Sequence, residues 1–113
     1  GGLFISLTTT GITFSKEVIE VMGRPEYVAP FVNNQDKEFV IVATKNGPKA
    51  RPFCKKTDSS KTPLVRWGDK ALKRELFELA GKEDSGKNIR VYGRFDEEHK
   101  AIFFDLKDTG PTK

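Results

Sequence analysis

The chain of 113 residues contains one cysteine, Cys54, and one histidine, His99. A single cysteine cannot form a disulfide within the chain, and it lacks the paired spacing of a zinc site. No apolar run is long enough to span a bilayer, and no export signal is visible. These absences predict a cytoplasmic protein with no metal, no cofactor and no membrane segment.

Sequence motifs of catalysis are also absent. The chain has no glycine-rich phosphate loop, no nucleophile elbow and no pattern of metal ligands. His99 follows Glu97 and Glu98 in a polar segment that we interpret as a hairpin turn, and a solvated turn gives its carboxylates no distinct acid and base roles. We therefore expect no enzyme activity and interpret His99 as a surface residue.

The composition is that of a folded protein, because 36% of the residues are hydrophobic and 32% are charged. This balance is far from that of disordered chains. The length fits one compact domain over residues 1–113 and is too short for two independent cores.

The first half predicts two strands, a helix and a hairpin. Ser15 is a favourable N-cap, and Gly23 is a favourable stop for a short helix. Between them, Val18, Ile19 and Met22 recur at helical spacing. The predicted strands, rich in alternating apolar residues, are residues 3–7, 12–14, 27–32 and 39–43.

The second half predicts the same elements in the same order. Asp69 is a candidate N-cap and Gly81 a candidate stop for the second helix, in which Lys73 lies away from the apolar face. That apolar face is predicted to hold Leu72, Leu76, Leu79 and Ala80. The predicted strands are residues 52–56, 64–67, 89–95 and 101–106.

The sequence therefore predicts an internal repeat, with repeat 1 at about residues 3–44, a linker at about 45–50 and repeat 2 at about 51–107. One such unit buries too little apolar surface to fold alone, so the two units are expected to share one core. The predicted fold class is mainly β with two short helices (α+β): a pseudo-twofold β-barrel built from two strand-strand-helix-hairpin repeats. We expect a monomer that contains an intramolecular pseudo-dimer.

The first repeat resembles the AbrB/MazE/SpoVT family of swapped-hairpin β-barrels. The matching features are a short strand, the Lys16-Glu17 helix start, the Gly23 stop, and an alternating hairpin with a polar turn over residues 28–42. The second repeat matches in element order. In that family two subunits exchange hairpins to close one barrel and bind DNA, so the resemblance implies a DNA-binding transcription regulator with both halves in one chain.

Positive charge is concentrated at the start of the second repeat. The formal net charge is +4, yet residues 45–75 hold ten basic and three acidic residues, which leaves the rest of the chain at −3. A concentrated basic surface neutralises phosphates and releases counterions. The candidate nucleic-acid-binding residues, in the strand and loop that face DNA in the resembling family, are Arg51, Lys55, Lys56, Lys61 and Arg66. The two arginines suit bidentate contacts better than the lysines.

Two alternatives use other chemistry. The same basic surface could serve a protein-interaction or structural module that docks an acidic partner and has no nucleic-acid role. Alternation along the predicted strand 89–95 also sets Arg90, Tyr92 and Arg94 on one face, which is either a stacking platform for single-stranded nucleic acid or part of the barrel rim. The choice between double and single strands stays open at this point.

Overall fold

The computed structural model describes residues 2–55, 60–82 and 88–111. These residues form strand, strand, helix and hairpin, and then the same order again, as predicted. The strands are β1 Phe4–Thr8, β2 Gly11–Phe14, β3 Tyr27–Asn33, β4 Glu38–Thr44, β5 Arg51–Pro52, β6 Arg66–Trp67, β7 Ile89–Asp96 and β8 Ala101–Pro111. The helices are α1 Lys16–Val21 and α2 Lys70–Leu79.

All of these strands belong to one antiparallel sheet with the order β5-β3-β4-β8-β7-β1-β2-β6. The sheet is curled into a half-barrel and differs in this from the closed barrel that the sequence predicts. Its terminal strands, β5 and β6, pair on one side only, with β3 and β2 respectively.

The core is one cluster of buried side chains from the sheet, from both helices and from the segments beside β5 and β6. At its centre the rings of Phe39 and Phe104, paired across β4 and β8, stack with centroids 5.9 Å apart. The helices add fully buried side chains from one face each, and these are Val18 and Ile19 from α1 and Leu76 and Phe77 from α2. Because burial of apolar area is the main favourable term in folding, this shared cluster holds the two halves together.

Both helices begin at the predicted caps. The Oγ atom of Ser15 accepts a hydrogen bond from the Val18 amide at 3.4 Å, and Oδ1 of Asp69 accepts one from the Leu72 amide at 2.9 Å. Each helix is followed by a glycine with positive φ, Gly23 or Gly81. Within the described residues, no helix has the length and apolar character needed to cross a bilayer.

The prediction for Lys73 is wrong. Its side chain is only 6% exposed, and its Nζ donates a hydrogen bond to the Thr9 carbonyl oxygen at 3.3 Å. A lysine can bury its aliphatic stem when its ammonium group reaches an acceptor, here in the turn between β1 and β2. Phe77, one turn further along, is buried in the same helix face, although the predicted apolar face does not include it.

The strands that flank the basic segment are shorter than predicted. Where the sequence predicts a strand over residues 52–56, the described strand is β5, Arg51 and Pro52. Where it predicts a strand over residues 64–67, the described strand is β6, Arg66 and Trp67. After Pro52 the backbone still follows the segment before β3, because the Phe53 amide donates to the Glu26 carbonyl at 2.8 Å. Residues 56–59, which include the candidate Lys56, lie outside the described residues.

Gly11 allows β6 to lie against β2. Its φ is +147°, and a Cβ atom at this position would lie 2.1 Å from the Trp67 carbonyl oxygen. Every other residue type would therefore either push β6 away or strain the backbone. The position of Trp67, and with it one end of the sheet, depends on this glycine.

We predict that Gly11→Ala lowers the free energy of unfolding by about 1–3 kcal/mol, which is the usual cost of backbone strain. Urea denaturation measures it. Gly47→Ala is the matched control, because a Cβ atom there would lie 3.9 Å from its nearest neighbour, the Lys45 carbonyl oxygen. Equal stability of the two variants would contradict the close approach of β6.

Candidate nucleic-acid interface

A cleft of about 720 Å³ lies between the two ends of the sheet. One wall comes from β5 and the residues after it, and the other from β6 and the residues before it. Three nearly buried apolar side chains form its base, and these are Phe53, Val65 and Trp67. The cleft is therefore an apolar depression at the opening of the half-barrel.

Side chains, and not a ladder of backbone hydrogen bonds, connect the two walls. The indole Nε1 of Trp67 donates to the Pro52 carbonyl oxygen at 3.1 Å. The Cζ atom of Arg51 lies 4.0 Å from the centroid of the Trp67 ring, and its Nη1 contacts Oδ2 of Asp69 at 3.1 Å. Phe14 packs edge-on against Trp67 from the core side with centroids 5.0 Å apart. Arg51 is thus held in place by a ring and a carboxylate.

The predicted candidates lie around this cleft to different degrees. Arg51, Lys55 and Arg66 all line it, whereas Lys56 lies outside the described residues. Lys55 and Arg66 are exposed, and neither forms an ion pair with another described residue. Arg51 is different because only 32% of its side chain is exposed and its charge faces Asp69. Two exposed cations on opposite walls are therefore available for an anionic ligand.

Lys61 is exposed in a segment that α1 holds in place. The Thr62 hydroxyl donates to Oε2 of Glu20 at 3.1 Å, and Nη2 of Arg24 donates to the Ser60 carbonyl at 3.4 Å. Arg24 also donates to both carboxylate oxygens of Glu20, and this hydrogen bonding lowers the pKa of Glu20 from its ordinary value. These contacts fix the segment from Ser60 to Thr62 beside the cleft wall.

Leu64 is a residue at this site that the candidate set does not include. It lines the cleft with 78% of its surface exposed, which is the largest exposure among the large hydrophobic residues described. The alternation of a strand carries the signal, since Val65 and Trp67 are buried and Leu64 and Arg66 point the other way. An exposed leucine beside exposed cations indicates a ligand with both apolar and anionic parts.

Cys54 also lines the cleft, but as an inert residue. It is 3% exposed, and burial raises the pKa of its thiol. A thiol that is protonated and buried is a poor nucleophile and metal ligand. Cys54 therefore acts here as a small apolar residue.

The second candidate surface, on the outer face of β7, is already covered by its own arginines. The Cζ atom of Arg90 lies 4.2 Å from the centroid of the Phe4 ring, and that of Arg94 lies 4.5 Å from the centroid of Phe103. Tyr92 meets Phe4 edge-on, with centroids 6.1 Å apart. One face of the Phe4 ring and one face of the Phe103 ring therefore each contact a guanidinium.

His99 lies in an exposed turn, as predicted. Its Nδ1 is 2.8 Å from Oδ2 of Asp96, and this hydrogen bond lowers the pKa of Asp96. Together with Glu98 the two residues bring three potential ligand atoms within 4.8 Å of one another. The group is exposed, and the same hydrogen bonds close the turn, which accounts for its geometry.

We predict that Asp69→Ala lowers the free energy of unfolding by about 1–2 kcal/mol, because the helix cap and the partner of Arg51 are both removed. Asp69→Asn keeps an N-cap acceptor and removes only a partly exposed ion pair, so its effect is expected to stay below about 1 kcal/mol. Urea denaturation followed by Trp67 fluorescence compares them. Equal destabilisation would contradict the double role of Asp69.

Comparison with protein-family models, curated proteins and solved structures gives no match to this chain. The resemblance to the AbrB/MazE/SpoVT family and the DNA-binding role therefore stay predictions. Whatever supports a function has to come from the cleft, its charges and the arrangement of the strands.

Proposed function

We propose that this protein binds nucleic acid through the basic surface around the cleft, as a DNA-binding transcription regulator similar to the AbrB family. The observation that carries the proposal is the exposure of Lys55 and Arg66 on opposite walls of one cleft, with Lys61 beside it. Of the described residues that line the cleft, only Glu26 carries the opposite charge. Such a surface attracts a phosphate backbone.

The register of the hairpins supports the proposed internal repeat. Adding 63 to the numbers of the β3–β4 pair Asn33 and Glu38 gives the β7–β8 pair Asp96 and Ala101. The two turns agree in detail, because Lys37 and Lys100 have φ values of 54° and 49°. In both turns the first side chain accepts from the amide three residues later.

The pairing between the hairpins follows the same shift. Adding 63 to Glu38 gives Ala101, and subtracting 63 from Asp105 gives Val42. The pair Glu38–Asp105 at one end of the β4–β8 ladder thus corresponds to the pair Val42–Ala101 at its other end. The first strand of each half also pairs with the hairpin of the other half, since β1 pairs with β7 and β5 pairs with β3. Exchange of this kind is the arrangement that the family resemblance implies.

Departure from this symmetry creates the cleft. β2 pairs with β1, so a symmetric arrangement would also pair β6 with β5, whereas among the described strands β6 pairs with β2 and not with β5. The gap between β5 and β6 is then the opening that Lys55 and Arg66 both line. One basic cleft in each chain follows, in place of two equivalent half-sites.

Exposed Leu64 favours a second candidate function, the docking of an acidic protein partner on the same surface. Protein interfaces depend on buried apolar contacts more than on exposed charges. The two functions differ in salt dependence, because binding to nucleic acid falls log-linearly with salt concentration.

The test is fluorescence anisotropy of labelled duplex and single-stranded DNA over a salt series. The triple variant Lys55→Gln, Lys61→Gln, Arg66→Gln is expected to bind weakly, with a salt slope smaller by about one for each phosphate that the protein no longer neutralises.

The matched control, Lys16→Gln, Lys82→Gln, Arg74→Gln, removes the same charges from exposed positions that do not line the cleft. It is expected to bind like the unchanged protein. Equal weakening in both variants would reduce the interaction to general charge attraction, and absence of binding at low salt would refute the proposed function.

A further inference from the structure

The shape of the cleft distinguishes between forms of nucleic acid. Clefts of roughly 300–1,000 Å³ are the size that encloses a small organic molecule, and this one measures about 720 Å³. A duplex keeps its bases stacked inside and presents phosphates on a convex surface, so it can contact only the rim. An unpaired strand can turn a base into a depression of this size.

The chemistry of the cleft matches a nucleobase at the centre of the cleft and phosphate groups at its two walls. Phe53, Val65 and Trp67 form the apolar bottom of the cleft, and Leu64 adds an exposed apolar side chain to its lining. Neither the rim contacts of a duplex nor a purely electrostatic surface requires this apolar lining. Bases that leave a stack need such a surface.

Arg51 supplies a flat surface that is already ordered. One side of its guanidinium lies 4.0 Å from the Trp67 ring, and its edge contacts Asp69. The group still lines the cleft and its side chain is 32% exposed. Guanidinium planes stack on nucleobases, and a side chain that is ordered before binding loses less entropy on binding.

The two exposed cations lie where a strand passing through the cleft would carry its phosphates. Lys55 follows β5 on one wall, and Arg66 belongs to β6 on the other. A chain that crosses from one wall to the other places phosphates near both while its base occupies the apolar centre. The phosphate contacts then supply salt-dependent affinity, and the centre supplies the preference for unpaired bases.

We infer that the cleft binds single-stranded nucleic acid in preference to duplex, with a base against Arg51 and Leu64 and the flanking phosphates on Lys55 and Arg66. The inference rests on the proposed function and specifies its ligand. It goes beyond that function because duplex binding alone would satisfy the proposed regulator.

Trp67 makes the test direct, since it is the only tryptophan of the chain and it lines the cleft. Its fluorescence is followed during titration with a thymidine oligonucleotide of about eight nucleotides, which is within the range of small single-strand sites. The comparison ligands are a duplex of the same length and an abasic strand with the same phosphates. The oligonucleotide is expected to change the fluorescence and to bind roughly tenfold more tightly than either of them.

Two variants separate the base contact from the charge. Leu64→Ala removes an exposed side chain, so the fold is expected to survive, and it should weaken single-strand binding about fivefold while duplex binding stays unchanged. Arg51→Lys keeps the charge and removes the plane, and it should lower the affinity for the oligonucleotide more than the affinity for the abasic strand. Thr9→Ala, on an exposed turn residue outside the cleft lining, is the control for substitution itself.

The outcomes distinguish the inference from the proposed function. Duplex and abasic strand that bind as tightly as the oligonucleotide would overturn the inference and leave the proposed function standing. Absence of binding by all three ligands would overturn both. A change in Trp67 fluorescence with a Glu-rich, Leu-containing peptide but with no oligonucleotide would also overturn both and favour a protein partner.

Discussion

The contact of Trp67 with Arg51 and Pro52 determines how the two ends of the sheet meet. A curled sheet with open ends would leave β5 and β6 apart, and each has a ladder of only two residues. The indole hydrogen bond to Pro52 and the guanidinium over the ring connect these strands in place of a ladder. Asp69 connects this contact to α2, because its Oδ2 pairs with Arg51 and its Oδ1 accepts the capping hydrogen bond of the helix.

Local patterns predict the elements well because their causes are local. The side chains of Ser15 and Asp69 identify them as caps, and alternation locates both hairpins, although β8 continues to Pro111, five residues beyond its predicted end. Lys73 cannot be assigned from its own helix, since the acceptor that allows its burial is the Thr9 carbonyl, 64 residues away. Neither the composition nor the periodicity of the helix indicates that acceptor.

The candidate site is predictable in part. Charge counting identifies Lys55 and Arg66, which are exposed on the cleft, but it groups them with Arg51, whose charge is paired with Asp69. Whether β5 and β6 pair with each other is a long-range property that no local pattern specifies, and among the described strands they do not pair. The cleft lies at this missing ladder, so its existence is visible only in the structure.

Apolar lining and positive charge have different consequences for a ligand. Charge at Lys55 and Arg66 would attract any polyanion, whereas the apolar centre accepts only a group that can leave water. In the proposed repeat both belong to the same place, because the cleft lies where the β1–β2 ladder has no counterpart between β5 and β6. The charge and the shape of the cleft thus both belong to the place where β5 and β6 do not pair.

The most direct test of the central claim is an NMR measurement on the indole N–H of Trp67, which gives one signal because the chain has one tryptophan. The account predicts slow exchange of this proton with solvent and nuclear Overhauser contacts to Pro52 and Arg51, in agreement with the 3.1 Å hydrogen bond to the Pro52 carbonyl. Exchange as fast as in an unfolded peptide, without those contacts, would show that the ends of the sheet do not meet and would contradict the cleft.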